Sequence, residues 1–213
     1  MKKENEYLSE LLKRYPALEK IEDKIWGAFL EMEKVFRNGG KILIAGNGGS
    51  SCDAQHMVAE LMKGFQCKRQ ISREMGEKLR KVNPVLGAEL TEHLQIALPA
   101  IALDVHTALN SAFANDVEAK LTLAQQVLGY GNRDDMFLGI STSGNSENIL
   151  YAAVTAKAAG MRVIGLTGEG GGELADYVQI LVNVPEQKTY AIQELHLPIY
   201  HCWCRMLEKA FFG

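Results

Sequence analysis

Lys41-Ile42-Leu43-Ile44-Ala45-Gly46-Asn47-Gly48-Gly49-Ser50 runs from an apolar, strand-like segment into a small polar turn, and a helical pattern follows at residues 52–64. Met136-Phe137-Leu138-Gly139-Ile140-Ser141-Thr142-Ser143-Gly144-Asn145-Ser146 repeats the arrangement, with its helical pattern at residues 149–159. Both stretches read as strand-turn-helix junctions. The first N–H groups of a helix lack intrahelical acceptors, and the helix dipole gathers partial positive charge there, so each junction suits an anion. Small residues let a phosphoryl group approach the backbone, and the hydroxyls of Ser141, Thr142, Ser143 and Ser146 add donors. Neither turn contains a basic residue. The first turn fits neither of the better-known phosphate loops. From Gly46 and Gly48 the third position of G-x-G-x-x-G falls on Ser51, and no G-K-[ST] is present. Nucleotide and redox cofactors therefore lose support, and a monophosphate or sugar hydroxyl suits Asn47 and the serines better.

Four further apolar runs follow the first, at residues 100–103, 136–140, 163–166 and 178–184, with helical patterns between most of them. Strands that alternate with helices and lack in/out alternation form a parallel sheet covered on both faces. The expected fold is a single-domain α/β protein: a three-layer, doubly wound parallel sheet of five strands with N-terminal helices. Residues 4–38 read as one or two of those helices, with Leu8, Leu11 and Leu12 before Pro16 and then Leu18, Ile21, Ile25, Phe29, Met32 and Phe36 at helical spacing. The segment 1–40 is a candidate for oligomer contacts. Residues 66–98 read as a helical excursion between the first two strands. The last helix, 189–212, carries Ile192, Leu195, Ile199, Trp203, Met206 and Ala210 on one apolar face, with a kink expected at Pro198. Ligands bind such sheets beyond the carboxyl ends of the strands, where both polar turns fall.

With 213 residues, a net charge of −3 and a pI near 6.0, the chain has no basic field to attract nucleic acid. Its opening residues are charged, no apolar signal core follows, and no stretch approaches the roughly 20 apolar residues of a membrane span. Cys52, Cys67, Cys202 and Cys204 lack C-x-x-C spacing and read as reduced thiols. A cytoplasmic enzyme is expected.

His56 and Glu60, four apart on the helix that leaves the first turn, project from one face. They could share a metal ion, set a general base beside an acid, or form a surface ion pair. Gln193, His196 and His201 lie on the last helix. Eight residues correspond to a rise of about 12 Å, so Gln193 and His201 of one straight helix do not reach one small ion. If both serve one site, either the helix deforms near Pro198 or a neighbouring subunit supplies one of them. Asn115-Asp116 could recognise sugar hydroxyls or form an ordinary Asx turn.

Taken together, GNGGSSCDAQHMVAEL (46–61), FANDV (113–117), LGISTSGNSENIL (138–150), VIGLTGEGGGELA (163–175) and IQELHLPIYH (192–201) resemble the SIS (sugar isomerase) domain family, and within it the phosphoheptose isomerase branch. The resemblance runs in order from about residue 20 to the last helix. It implies that Asn47, Gly48, Gly49, Ser50, Asn115, Asp116, Ser141, Thr142, Ser143, Ser146 and Gln193 touch a phosphosugar. His56, Glu60, Gln193 and His201 match a zinc site in those isomerases, with Glu60 and His201 the acid/base pair. The implied reaction moves a carbonyl between C2 and C1 of sedoheptulose 7-phosphate through an enediol, giving a glycero-manno-heptose 7-phosphate. The implied assembly is a homo-oligomer, tetramer or dimer, with shared sites.

Two places depart from that branch. Ala191 stands where the resemblance leads one to expect an arginine, and the 66–98 excursion is longer than usual. A shorter ketose phosphate stays open as substrate. So does a non-catalytic role, as in the replication-initiator-binding members or in phosphosugar sensors. Sensors usually carry a DNA-binding module, which 213 residues would not accommodate beside this fold. Retention of His56, Glu60, Gln193 and His201 together favours catalysis.

Overall fold

The computed structural model describes residues 5–213, so residue 4, where the first helical reading begins, lies outside the described residues. α1 (Glu6–Arg14) and α2 (Glu22–Arg37) flank a 3-10 turn opened by Pro16. β1 (Ile42–Ala45), α3 (Gly49–Met62), α4 (Arg73–Val82), α5 (Pro84–His93), β2 (Ala100–Ala102), α6 (Thr107–Phe113), α7 (Thr122–Tyr130), β3 (Met136–Ser141), α8 (Glu147–Ala158), β4 (Arg162–Thr167), β5 (Ile180–Asn183) and α9 (Thr189–Phe212) follow. The five strands are all parallel, in the order β2-β1-β3-β4-β5. This is the doubly wound order in which the chain departs from β1 to one side and returns as β3 on the other. The crevice at that switch point is the expected ligand site.

Strand side chains alternate between two buried layers, which is why the strands read as unbroken apolar runs. Ile42, Ile44, Met136, Leu138 and Ile164 join a core with Leu8, Ile25, Phe29, Met57 and Trp203. Leu43, Phe137 and Val163 face the other way, against Leu123 and Val127 of α7 and Ile149, Ala152 and Ala156 of α8. The Trp203 indole N–H donates to the Ile25 carbonyl at 2.9 Å and ties α9 to α2. The apolar stripes of α1 and α2 are thus buried within their own chain.

Pro198 falls inside α9 without ending it; the helix expected to kink there runs from Thr189 to Phe212. The 66–98 excursion folds as a helical hairpin of α4 and α5. Ser72 caps α4, and the Asn83 side chain accepts from the Val85 and Leu86 N–H groups, with Pro84 opening α5. The four cysteines are free. No helix among the described residues is long and apolar enough to cross a membrane.

Candidate active site

α3 and α8 both begin at the switch-point crevice, one after β1 and the other after β3. Gly48 precedes α3 with φ of +54°, a backbone state that favours glycine. Neither N-cap residue, Gly48 nor Ser146, makes a side-chain capping bond; the Ser50 and Ser51 N–H groups donate to the Asn47 and Gly48 carbonyls, and the Ile149 N–H to the Ser146 carbonyl and Asn148 Oδ1. The turns are fixed to each other by Asn47 and Asn148, whose amides exchange hydrogen bonds of 3.0 and 2.8 Å. In the second turn the Ser141 and Ser146 hydroxyls lie 3.0 Å apart, and the Gly144 N–H donates to Ser141 Oγ.

A cavity of about 310 Å³ lies between the turns, lined by Asn47, Gly48, Gly49, Ser50, Ser141, Thr142, Ser146 and Gln193, together with Ile140 and Thr189. Eight of the eleven expected sugar-binding residues are therefore brought together. Ser143 is exposed beside this cavity, its hydroxyl accepting from the Asn145 N–H. Asn115 and Asp116 lie in an exposed π-helical turn, bonded to each other at 2.8 Å, and do not line the cavity.

The second part of the site lies farther along α3 and α9. On α3, Gly49, His56 and Glu60 fall on one stripe, since steps of seven and four residues return to nearly the same helix face. Gly49 faces Gln193 so closely that a Cβ there would come within 2.6 Å of the amide nitrogen. Further on, His56 Nε2 lies 3.3 Å from His201 Nε2 and 3.5 Å from Glu60 Oε1. Lys63 Nζ donates to Glu60 Oε2 at 3.0 Å. The structure thus unites His56, Glu60 and His201 and leaves Gln193 at the other end, as the rise of α9 requires. Burial, and next the adjacent His56, hold the His201 imidazole below its ordinary pKa. His201 also forms part of the wall of a second cavity of about 330 Å³, with Tyr7, Arg14, Phe65, Gln66 and Arg205.

Two imidazole nitrogens and a carboxylate are donor types that suit zinc. They approach in pairs: among the described residues no group of three or more His, Cys, Asp or Glu side chains is arranged to hold a metal ion.

Several supporting residues carry no sequence signal, because their partners are distant in the chain. Arg69 and Glu208, 1% and 3% exposed, pair at 2.9 Å. Arg69 also donates to the Leu61 and Glu60 carbonyls, closing the carboxyl end of α3. Glu208 accepts from the N–H groups of Phe65, Gln66 and Cys67. Tyr200 touches both Asp53 and His56.

The SIS domain model matches residues 6–86 and 86–168. A phosphoheptose isomerase from Nitratiruptor sp. is 35% identical over 206 residues, spanning 95% of this chain and 96% of the relative. This chain is a SIS domain protein of the phosphoheptose isomerase family. A solved phosphoheptose isomerase from Neisseria gonorrhoeae matches this SIS domain protein with a TM-score of 0.73 at 31% identity, covering 94% of each chain. Another, from Francisella tularensis, matches with a TM-score of 0.72 at 35% identity, over 88% of this chain and 86% of that one.

Proposed function

We propose that the chain is an aldose-ketose isomerase that interconverts sedoheptulose 7-phosphate and D-glycero-D-manno-heptose 7-phosphate through an enediol. The observation that carries the substrate's length is the offset between the two parts of the site. Seven residues of α3 separate Gly49 from His56 and eight of α9 separate Gln193 from His201, a rise of about 10–12 Å. An extended seven-carbon chain with a terminal phosphoester spans about 10 Å, and a three-carbon one about half of that. With its phosphate at the N-termini of α3 and α8, a heptose phosphate reaches the His56-Glu60-His201 cluster with its C1 and C2 end. Ala191 supplies no charge, so the phosphate is held by backbone N–H groups and the hydroxyls of Ser50, Ser141, Thr142 and Ser146.

Glu60 removes the proton on the carbon beside the carbonyl and returns it to the neighbouring carbon. His201, kept neutral by its surroundings, moves the second proton between the two oxygens. His56, Glu60 and His201 carry the donor types that zinc takes, and an ion held by them after a rearrangement of the three side chains would polarise the carbonyl as a Lewis acid. The enzyme is a homo-oligomer, a dimer or tetramer of single SIS domains, with segment 1–40 among the assembly contacts and sites shared between copies. The placement of Asn115 and Asp116 outside their own chain's cavity supports the sharing. Free thiols support action in the cytoplasm.

A series of ketose phosphates from three to seven carbons, with aldose product read directly, tests the assignment. The highest kcat/KM is expected for sedoheptulose 7-phosphate, by at least about tenfold. A shorter ketose phosphate turning over faster would transfer the assignment to that sugar.

A further inference from the structure

The hairpin of α4 and α5 closes on itself at Gly76 and Gly87. A Cβ on Gly87 would strike the Leu79 carbonyl, and one on Gly76 would come within 2.7 Å of the Thr91 methyl. These glycines mark the packed side of each helix. Met75 and Val82 lie about 100–120° round α4 from Gly76, and Leu86 and Leu90 about 60–100° round α5 from Gly87, in the same sense. In an antiparallel pair that is one common face, and Leu94 extends it past the end of α5. The rest of the α4 surface is charged, with Arg73 paired to Glu77 at 2.9 Å and Lys78 to Glu74 at 2.6 Å.

Among the described residues nothing covers the apolar face. Met75, Val82, Leu86, Leu90 and Leu94 are 48%, 88%, 57%, 40% and 45% exposed. Along α5 they border a groove of about 520 Å³, which Glu89 and His93 also line. At roughly 100 Å² for a whole aliphatic side chain, the five leave about 300 Å² of apolar area open to water. Interfaces are roughly 60% apolar, so the face would bury about 500 Å² per copy and about 1,000 Å² in a pair, the size at which specific contacts begin.

The charges on the groove fit a second copy of the same helix. Glu89 and His93 stand one turn apart. A two-fold axis crossing α5 at Thr91 sets each Glu89 level with the other copy's His93, because the two numbers add to twice 91, and it interleaves Leu86, Leu90 and Leu94 with their counterparts. An unrelated partner would require no such self-complementary order.

We propose that the apolar face of the hairpin is a two-fold contact between copies of this chain, with α5 antiparallel to α5. It rests on the homo-oligomer reading above, adds a surface to segment 1–40, and is independent of which sugar the site takes.

Sedimentation velocity of the full chain over a dilution series tests the contact, with circular dichroism checking that each variant folds. Leu90→Glu brings two carboxylates to the axis and is expected to halve the assembly or to raise its concentration of half-dissociation at least about tenfold. Leu86→Glu, at a more exposed position, carries the same expectation should Leu90→Glu fail to fold. Lys81→Glu, on the charged side, is expected to stay within about twofold of the parent. Glu89→Lys is expected to weaken the assembly, and Glu89→Lys combined with His93→Glu to return it to within about threefold of the parent. An oligomer unmoved by the leucine variants, or moved as much by Lys81→Glu, would overturn the contact and leave the homo-oligomer reading standing. A wild-type chain that stays monomeric throughout would overturn both. A charge swap that restores nothing would overturn the two-fold register.

Discussion

The buried pair of Arg69 and Glu208 holds the segment that follows Glu60, and its removal has a calculable cost. Glu208→Leu leaves the Arg69 guanidinium buried with only the Glu60 and Leu61 carbonyls, and strips an acceptor from three backbone N–H groups. Breaking a buried pair from one side costs about 3–5 kcal/mol, a large part of a typical stability of about 5–15 kcal/mol. Arg69→Met leaves the carboxylate buried and should cost about as much. The double variant removes both charges, so its loss should fall short of the sum by at least about 2 kcal/mol. With a urea slope of about 2 kcal/mol per molar, a 4 kcal/mol loss moves the unfolding midpoint by about 2 M. Additive losses, or singles that each cost under about 1 kcal/mol, would refute this account of the clamp. The carboxyl also gives a pH signature. Burial pushes Glu208 up, but the Phe65 and Gln66 N–H groups and Arg69 outweigh it and hold the carboxyl below its ordinary range. Its contribution is therefore present above the unfolded value of about 4.3 and is lost as pH falls through the lower folded value.

His196 is fully buried against the Thr167 carbonyl, and burial lowers its pKa from 6.5 to about 4. The unfolded chain takes up a proton that the folded one refuses. Stability should thus fall by about 3 kcal/mol as pH drops from about 6.5 to about 4, and urea midpoints of His196→Gln should lose that share of the slope; an equal slope in the variant would contradict it. Gly144 has φ of +69°, and a Cβ there would strike the Gly171 carbonyl. Gly144→Ala should cost about 1–3 kcal/mol and lower Tm by several degrees, and a Tm within about 1 °C of the parent would refute the constraint. Dialysis against a strong chelator should abolish turnover, with recovery on adding zinc. Full turnover in chelator would remove the metal from the mechanism while leaving Glu60 and His201 in it.

The strands were legible to within two or three residues because both sheet faces are buried, and unbroken apolar runs such as 136–140 allow little else. The start of α3 was placed three residues late, since Gly49, Ser50 and Ser51 are weak helix formers that follow a glycine-made turn. Seven cavity residues were legible because each turn is local in sequence, Gln193 on α9 came only with the family resemblance, and its separation from His201 followed from helix rise alone. Asn148, Asp53, Tyr200 and the Arg69-Glu208 pair were not legible. Their partners lie about a hundred or more residues away, or are chosen by how α3 meets α9, and no local period records that choice. The capping roles of Ser72 and Asn83 inside the 66–98 excursion were not legible either.

The most direct test of the central claim is the rate at which aldose product forms from sedoheptulose 7-phosphate, read for the wild-type chain and for Glu60→Gln, both checked for folding. Glu60 is assigned the carbon-bound proton, a general-base role of about 10²–10⁴ in rate. Turnover by the wild type with a loss of at least about a hundredfold in Glu60→Gln is the predicted result. No product from the folded, zinc-supplied wild type, or undiminished turnover in Glu60→Gln, would contradict the account.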